Sequence, residues 1–231
     1  MTNDYRTNTH ALIEHITAQN RVFYHGSRGA ILEPIQPISR QTADLGAGFY
    51  MACDSLQAKR LAVYDVSPVS YALSIDFTDM PDESICVLDT ATAVLAALHN
   101  RRSCQALSDS PLDGAMATKT EDFDFVISPI VDDHANIAVK AFAEDALTDE
   151  GLSAFLSCDL HRMQVVAKTQ AACKRISILS KQVIYDEEAD DIMKYNDKMR
   201  ICAHAQLREI QREYKGKGKL LTELIRESKT S

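Results

Sequence analysis

Short β-type runs and amphipathic stretches follow one another irregularly along the chain. Residues 10–19 carry apolar positions at Ala11, Leu12, Ile13 and Ile16, which predicts a short amphipathic helix. Arg21-Val22-Phe23-Tyr24 is a compact β-type run stopped by Gly26 and Gly29. Pro34 and Pro37 disfavour regular structure around themselves, so residues 30–47 read as a loop leading to a strand at Phe49-Tyr50-Met51. Asp54 or Ser55 can cap a helix to about Tyr64, with Leu56, Ala58, Leu61 and Ala62 on its buried face. Further strands are expected at Ser70–Asp76 and Ile85–Leu88, then an apolar helix from Asp89 or Thr90 to about Asn100. Residues 103–121 are polar and turn-rich and read as a surface loop.

The second half continues with a strand at Phe123–Ser128 and helices over 135–145 and 149–158. Two last strands, Met163–Ala167 and Ile176–Leu179, flank a short helix that starts at Thr169. Beyond Asp186 the chain becomes charged and helix-permissive over 189–214, is interrupted at Gly216 and Gly218, and resumes over Leu220–Glu227. The expected organisation is a main domain over 1–185 and a charged helical extension over 186–231. With about six or seven strands and helices inserted among them, the class is α+β. Neither G-x-G-x-x-G nor G-x-x-x-x-G-K-[ST] occurs, so a nucleotide held in a Rossmann or P-loop manner is excluded.

Charge changes this picture at one place. Residues 1–193 hold 15 Lys/Arg against 28 Asp/Glu, a balance of −13, whereas residues 194–231 hold 10 against 5, or +5. An acidic body argues against broad phosphate-backbone binding by the main domain; the basic end reads as a solvated helix leaning on that body or as a contact for an acidic partner. No apolar run approaches a membrane span, and Met1-Thr2-Asn3-Asp4 has no signal-peptide character. A cytoplasmic protein is expected, or an effector exported without a classical signal. Six scattered cysteines include no C-x-x-C; Cys158-x-x-His161 and Cys202-x-His204 are the nearest things to ligand pairs. No metal site is expected.

Four stretches carry the chemistry. They are Tyr24-His25-Gly26-Ser27, Asp44-Leu45-Gly46-Ala47-Gly48-Phe49-Tyr50-Met51-Ala52, Asp124-Phe125-Val126-Ile127-Ser128-Pro129-Ile130-Val131-Asp132-Asp133, and Gln164–Ala171 followed by Arg175–Leu179. Taken alone, His25 is a structural residue at a strand end and Tyr50 a half-buried strand residue. In this order, over roughly residues 21–180, they resemble the bacterial family DUF3990, which is assigned to the ADP-ribosyltransferase superfamily. Two departures stand out: Leu45 replaces the Phe of D-F-G-x-G-F-Y, and S-P-I-V-D-D replaces G-P-x-A-D-D.

The resemblance implies split antiparallel sheets with inserted helices, NAD as co-substrate, and mono-ADP-ribosyl transfer to a protein or nucleic-acid target. It also implies a toxin or defence role with a possible antitoxin partner and no membrane. By motif position, His25 is the ribose contact, Gly26 the close backbone approach, and Tyr50 the ring that stacks on cationic nicotinamide. Gln164 stands at the third position, where a Glu is typical. A Gln orients a hydroxyl but neither accepts a proton nor supplies negative charge. Either orientation alone sustains the activity, or Asp132 or Asp133 completes the site; the same two residues could equally cap the following helix. Ser27 either touches NAD or caps a turn, and Arg28 and Arg40 are the cations available to a pyrophosphate. The competing expectations are a degenerate fold that binds NAD or ADP-ribose without turnover, and an interaction protein working through residues 189–231. Tyr24, one residue before His25, should face the core by strand alternation.

Overall fold

Seven runs rich in β-branched and aromatic residues become strands in the computed structural model, which describes residues 14, 16–18, 21–29, 31, 33–40, 42–131, 133–156 and 162–229. They are β1 (Phe23–Ser27), β2 (Phe49–Ala52), β3 (Val69–Ile75), β4 (Ile85–Val87), β5 (Phe125–Pro129), β6 (Met163–Ala167) and β7 (Ile176–Val183). One sheet results, ordered β4-β5-β6-β2-β1-β3-β7, antiparallel everywhere except between β4 and β5. The class is therefore α+β. β1 runs on through Gly26 because His25, Gly26 and Ser27 all pair with β3. β7 is longer than its apolar run because exposed Ser180–Val183 are held by pairing with β3, which hydropathy does not register.

The sheet is narrowest in its middle. β1 and β2 share a single register pair, Tyr24↔Ala52, whereas β5 and β6 are matched from Phe125↔Ala167 to Pro129↔Met163. β1 otherwise belongs with β3 and β7, and β2 with β6, β5 and β4.

Nine helices are present among the described residues: α1 (Ser55–Ala62), α2 (Thr90–Arg101), α3 (Gln105–Ser108), α4 (Pro111–Thr118), α5 (Asp133–Ala143), α6 (Asp149–Leu156), α7 (Gln170–Cys173), α8 (Asp186–Glu213) and α9 (Leu221–Ser228). Three start where a side-chain oxygen accepts an otherwise unsatisfied amide: Asp54 from Gln57, Asp89 from Thr92, and Thr169 from Ala172. The helix expected at 10–19 lies largely outside the described residues.

Residues 103–121 are not a loop. Ser110 and Pro111 open α4, proline fitting the first helical position, where no amide partner is needed. Cys104, Leu107 and Met116 are buried in the helical core. Three anchors spread over two short helices are too few to show a 3.6-residue period, which is why the stretch reads as polar.

Two hydrophobic cores flank the sheet. Phe23, Phe49, Met51, Leu73, Phe125, Ile127 and Val165 fill one face. On the other face Val126 and Val166 meet Ala93 and Ala96 of α2, and helices α2 and α4–α6 in turn pack Val94, Leu98, Phe142, Leu152 and Phe155 together with Ala203 and Ile210 of α8 and Leu221 and Ile225 of α9. The segment after residue 185 thus shares a core with the helices before it. No helix among the described residues is long and apolar enough to cross a membrane.

Candidate functional site

Alternation along the strands decides which side chains meet. Phe23, Phe49, Met51 and Val165 fill one face of the sheet, so Tyr24, Tyr50, Ala52, Gln164 and Ser128 lie on the opposite face. The register sets Tyr24, Ala52, Gln164 and Ser128 in a single row across β1, β2, β6 and β5. Above this row and beside the narrow β1–β2 junction lies a cavity of about 470 Å³. His25, Gly26, Tyr50, Gln164 and Arg40 all line it, as do Tyr24 and Arg28. Tyr24 does point away from His25, yet that side is the cavity rather than the core. The cavity opens where the two strands part, so residues from both faces of β1 reach it.

His25 occupies the gap left by the missing strand pairing. Its Nδ1 lies 2.7 Å from Tyr50 O and its ring stacks on Phe49 at 4.5 Å between centroids. A carbonyl only accepts, so Nδ1 carries the proton and donates, standing in for a backbone ladder bond. Burial lowers the His25 pKa, which keeps the ring neutral and leaves Nε2 as a hydrogen-bond acceptor.

Tyr50 holds its own loop. Its hydroxyl donates to Gly46 O at 2.7 Å and accepts from Leu45 N at 2.9 Å. Burial, with the nearby Asp44 carboxylate adding to it, raises the phenol's pKa well above the usual tyrosine range. The same loop is tied by Asn100 Nδ2 to Asp44 O at 3.0 Å and by Lys168 Nζ to Leu45 O. Gly46 has φ +73°, a left-handed conformation that favours glycine. The ring of Tyr50 is thereby fixed against the cavity while its hydroxyl is fully committed.

Gln164 is buried at 7% exposure. Its Nε2 donates to Ser128 Oγ and to Pro129 O, each at 3.2 Å. These bonds orient the amide, and among the described residues Oε1 accepts none. His25 and Gln164, both lining the cavity, thus each keep a neutral acceptor atom, Nε2 and Oε1.

Gly26 has a reason of its own. A Cβ there would lie 2.0 Å from Ala58 O, so the glycine lets α1 press against β1. Ser27 pairs with Val69 and lies outside the cavity lining. Asp132 is outside the described residues, and Asp133 opens α5. Cys158 and His161 are likewise outside them. Among the described residues no group of His, Cys, Asp or Glu side chains could hold a metal ion.

Sequence reasoning missed the charged rim. Arg101, at the end of α2, donates from Nε to Asp44 Oδ1 at 2.8 Å, from Nη1 to Asn136 Oδ1 at 2.6 Å and from Nη2 to Val131 O at 2.7 Å. One guanidinium thus joins the loop before β2 to the turn after β5 across the cavity. Nothing near Arg101 in the chain announces this, because its partners are 57, 35 and 30 residues away. Asp65, the other lining carboxylate, pairs with Arg28 at 3.0 Å. Arg40 also lines the cavity and makes no ion pair among the described residues.

A family model described as "Protein of unknown function (DUF3990)" matches residues 22–178. The chain belongs to the DUF3990 family. The DUF3990 segment contains β1 and β2, the row across the sheet, Arg101 and α1, and it ends within β7; α8 and α9 lie beyond it. No curated protein matches this chain. No solved structure matches it either.

Proposed function

We propose that this protein is an NAD-dependent mono-ADP-ribosyltransferase acting on a macromolecular target, in the manner of a toxin or defence component. One observation carries the proposal: His25, Tyr50 and Gln164, from three different strands, line the same cavity as Arg40. The reaction breaks the bond between ribose C1′ and the cationic nicotinamide nitrogen. The bonding pair leaves with nicotinamide, which becomes neutral, and a nucleophile of the target supplies the new pair to C1′ and releases its proton.

Each residue fits a step of that chemistry. The immobilised Tyr50 ring suits stacking on cationic nicotinamide. Neutral His25 accepts a hydroxyl of the adenosine-side ribose, Gln164 Oε1 accepts one from the reacting ribose, and Arg40 offsets pyrophosphate charge. Gln164 acts by orientation, because an amide cannot take a proton.

Incubation of purified protein and lysate with NAD labelled on its adenylate half tests this. Nicotinamide release and transfer of label are expected, and Gln164→Ala should slow release by about ten-fold or more, the scale of losing one oriented polar group at a reacting centre. A second reading, NAD or ADP-ribose binding without turnover, is favoured by the pairing of both described lining carboxylates, Asp44 and Asp65, with arginines. It takes over if NAD binds while neither nicotinamide nor labelled product forms.

A further inference from the structure

Helix α1 has two functional sides. Ala58 and Leu61 line the cavity, whereas Leu56 lines a second, open recess of about 600 Å³ whose other wall is the first part of α8. Tyr185 and Tyr195 stand in this recess beside Glu187, Glu188 and Asp191. Leu56, Tyr185 and Tyr195 remain 37%, 73% and 41% exposed. Large apolar side chains gathered at one open recess mark a contact surface.

We propose that this recess docks an arginine- or lysine-bearing segment of a partner protein. Its charges carry the choice of occupant. Glu188 pairs with Lys59 at 2.6 Å and Asp191 with exposed Lys194 at 3.2 Å, while Glu187 has no ion pair among the described residues. Among the described residues no basic side chain lines the recess. Carboxylates at the first turn of α8 also favour the helix dipole, which accounts for Glu187 and Glu188 but not for Asp191 or the exposed tyrosines. Carboxylates beside tyrosine faces suit a guanidinium or ammonium, through charge-assisted hydrogen bonds and cation–π contact. One of these rings already meets a cation: the Arg60 guanidinium lies 5.8 Å from the centroid of Tyr195. The same carboxylates repel a phosphate backbone, so the partner is a protein rather than a nucleic acid.

The recess and the cavity share helix α1 as a wall. A bound segment would hold its protein at the mouth of the candidate site. Only that last step rests on the transferase reading; docking itself does not.

The test uses the full chain and a fluorescent twelve-residue peptide of arginine, lysine and alanine, with binding followed by anisotropy near physiological salt. Tyr185→Ala with Tyr195→Ala, and separately Glu187→Gln with Asp191→Asn, should each weaken binding roughly ten-fold. Glu209→Gln with Glu213→Gln, an equal charge change on exposed positions farther along α8, should leave affinity within about two-fold, as for screened distant charges. Unchanged urea midpoints show that the variants fold. Equal weakening by the control pair would overturn the proposal in favour of general attraction to an acidic chain. Full affinity in the tyrosine pair would also overturn it, as would sedimentation showing a dimer that the tyrosine pair dissolves, which makes a second copy the occupant. If the peptide binds as expected and NAD does not bind, docking stands and the transferase reading falls.

Discussion

Two junctions of one sheet behave in opposite ways. Where β5 meets β6, every residue of both strands is buried and the register runs unbroken over five pairs. Where β1 meets β2, one pair remains, and a histidine ring supplies the bond that the backbone does not. The first junction is fully paired, and one of its faces is filled with Phe125, Ile127 and Val165. The second trades ladder bonds for an opening, and the polar side chains of the sheet's other face become accessible there. Completeness of strand pairing thus separates the closed part of the sheet from the stretch that parts beside the cavity.

The largest expected effect lies at the closed junction. Phe125→Ala removes a fully buried ring and should cost about 3–5 kcal/mol in urea unfolding. NAD affinity per folded molecule should stay the same; a marked fall would show that the two junctions are not separable. Next comes Gly26→Ala at the open junction. The new methyl would run into the Ala58 carbonyl, and about 2–3 kcal/mol of overpacking strain is expected. Here α1 must move, so calorimetric NAD affinity should drop as well, and an unchanged affinity would sink the idea that α1 is a wall of the site. Arg101→Ala frees the loop before β2 from the turn after β5. With Asp44 and Arg101 side chains 19% and 25% exposed, a cost of about 2 kcal/mol is expected. The loop amides should then exchange faster, while those of β5 and β6 stay protected.

The smallest effect is in pH. Burial lowers the His25 pKa, so the fold accommodates the neutral ring. That contribution is complete above the unfolded value of about 6.5 and is lost as pH falls through the lower folded value. Urea midpoints of the wild type should therefore decline below about pH 6.5 more steeply than those of His25→Gln. Parallel slopes would mean that the bridging ring is not held neutral.

Much of the sheet was legible because its strands are aliphatic or aromatic runs bounded by Gly, Pro or Asp. Met163–Ala167 appears with the boundaries read from the sequence. Helices α3 and α4 were not legible, since Cys104, Leu107 and Met116 are buried by tertiary contact rather than displayed as a period. In the candidate site, His25, Tyr50 and Gln164 could be picked out by motif order, but Arg101 could not, because its partners are distant in the chain. Gly26 was noticed as a close-approach residue, yet the approaching group is the backbone of α1. Strand alternation put Tyr24 on the correct side of β1; only the narrowness of the β1–β2 junction, invisible in sequence, makes that side a cavity.

The burial of Leu221 and Ile225 among Val94, Phe142 and Phe155 has a consequence in time. A ribosome that has just finished the DUF3990 segment at residue 178 must add 47 more residues before Ile225 exists, roughly 2–10 s at ordinary elongation rates. For that interval the apolar surfaces of α5 and α6 lack the helices that cover them. The helical body therefore cannot close until the last helix has emerged, and a premature stop after β7 should release a product with that apolar core uncovered.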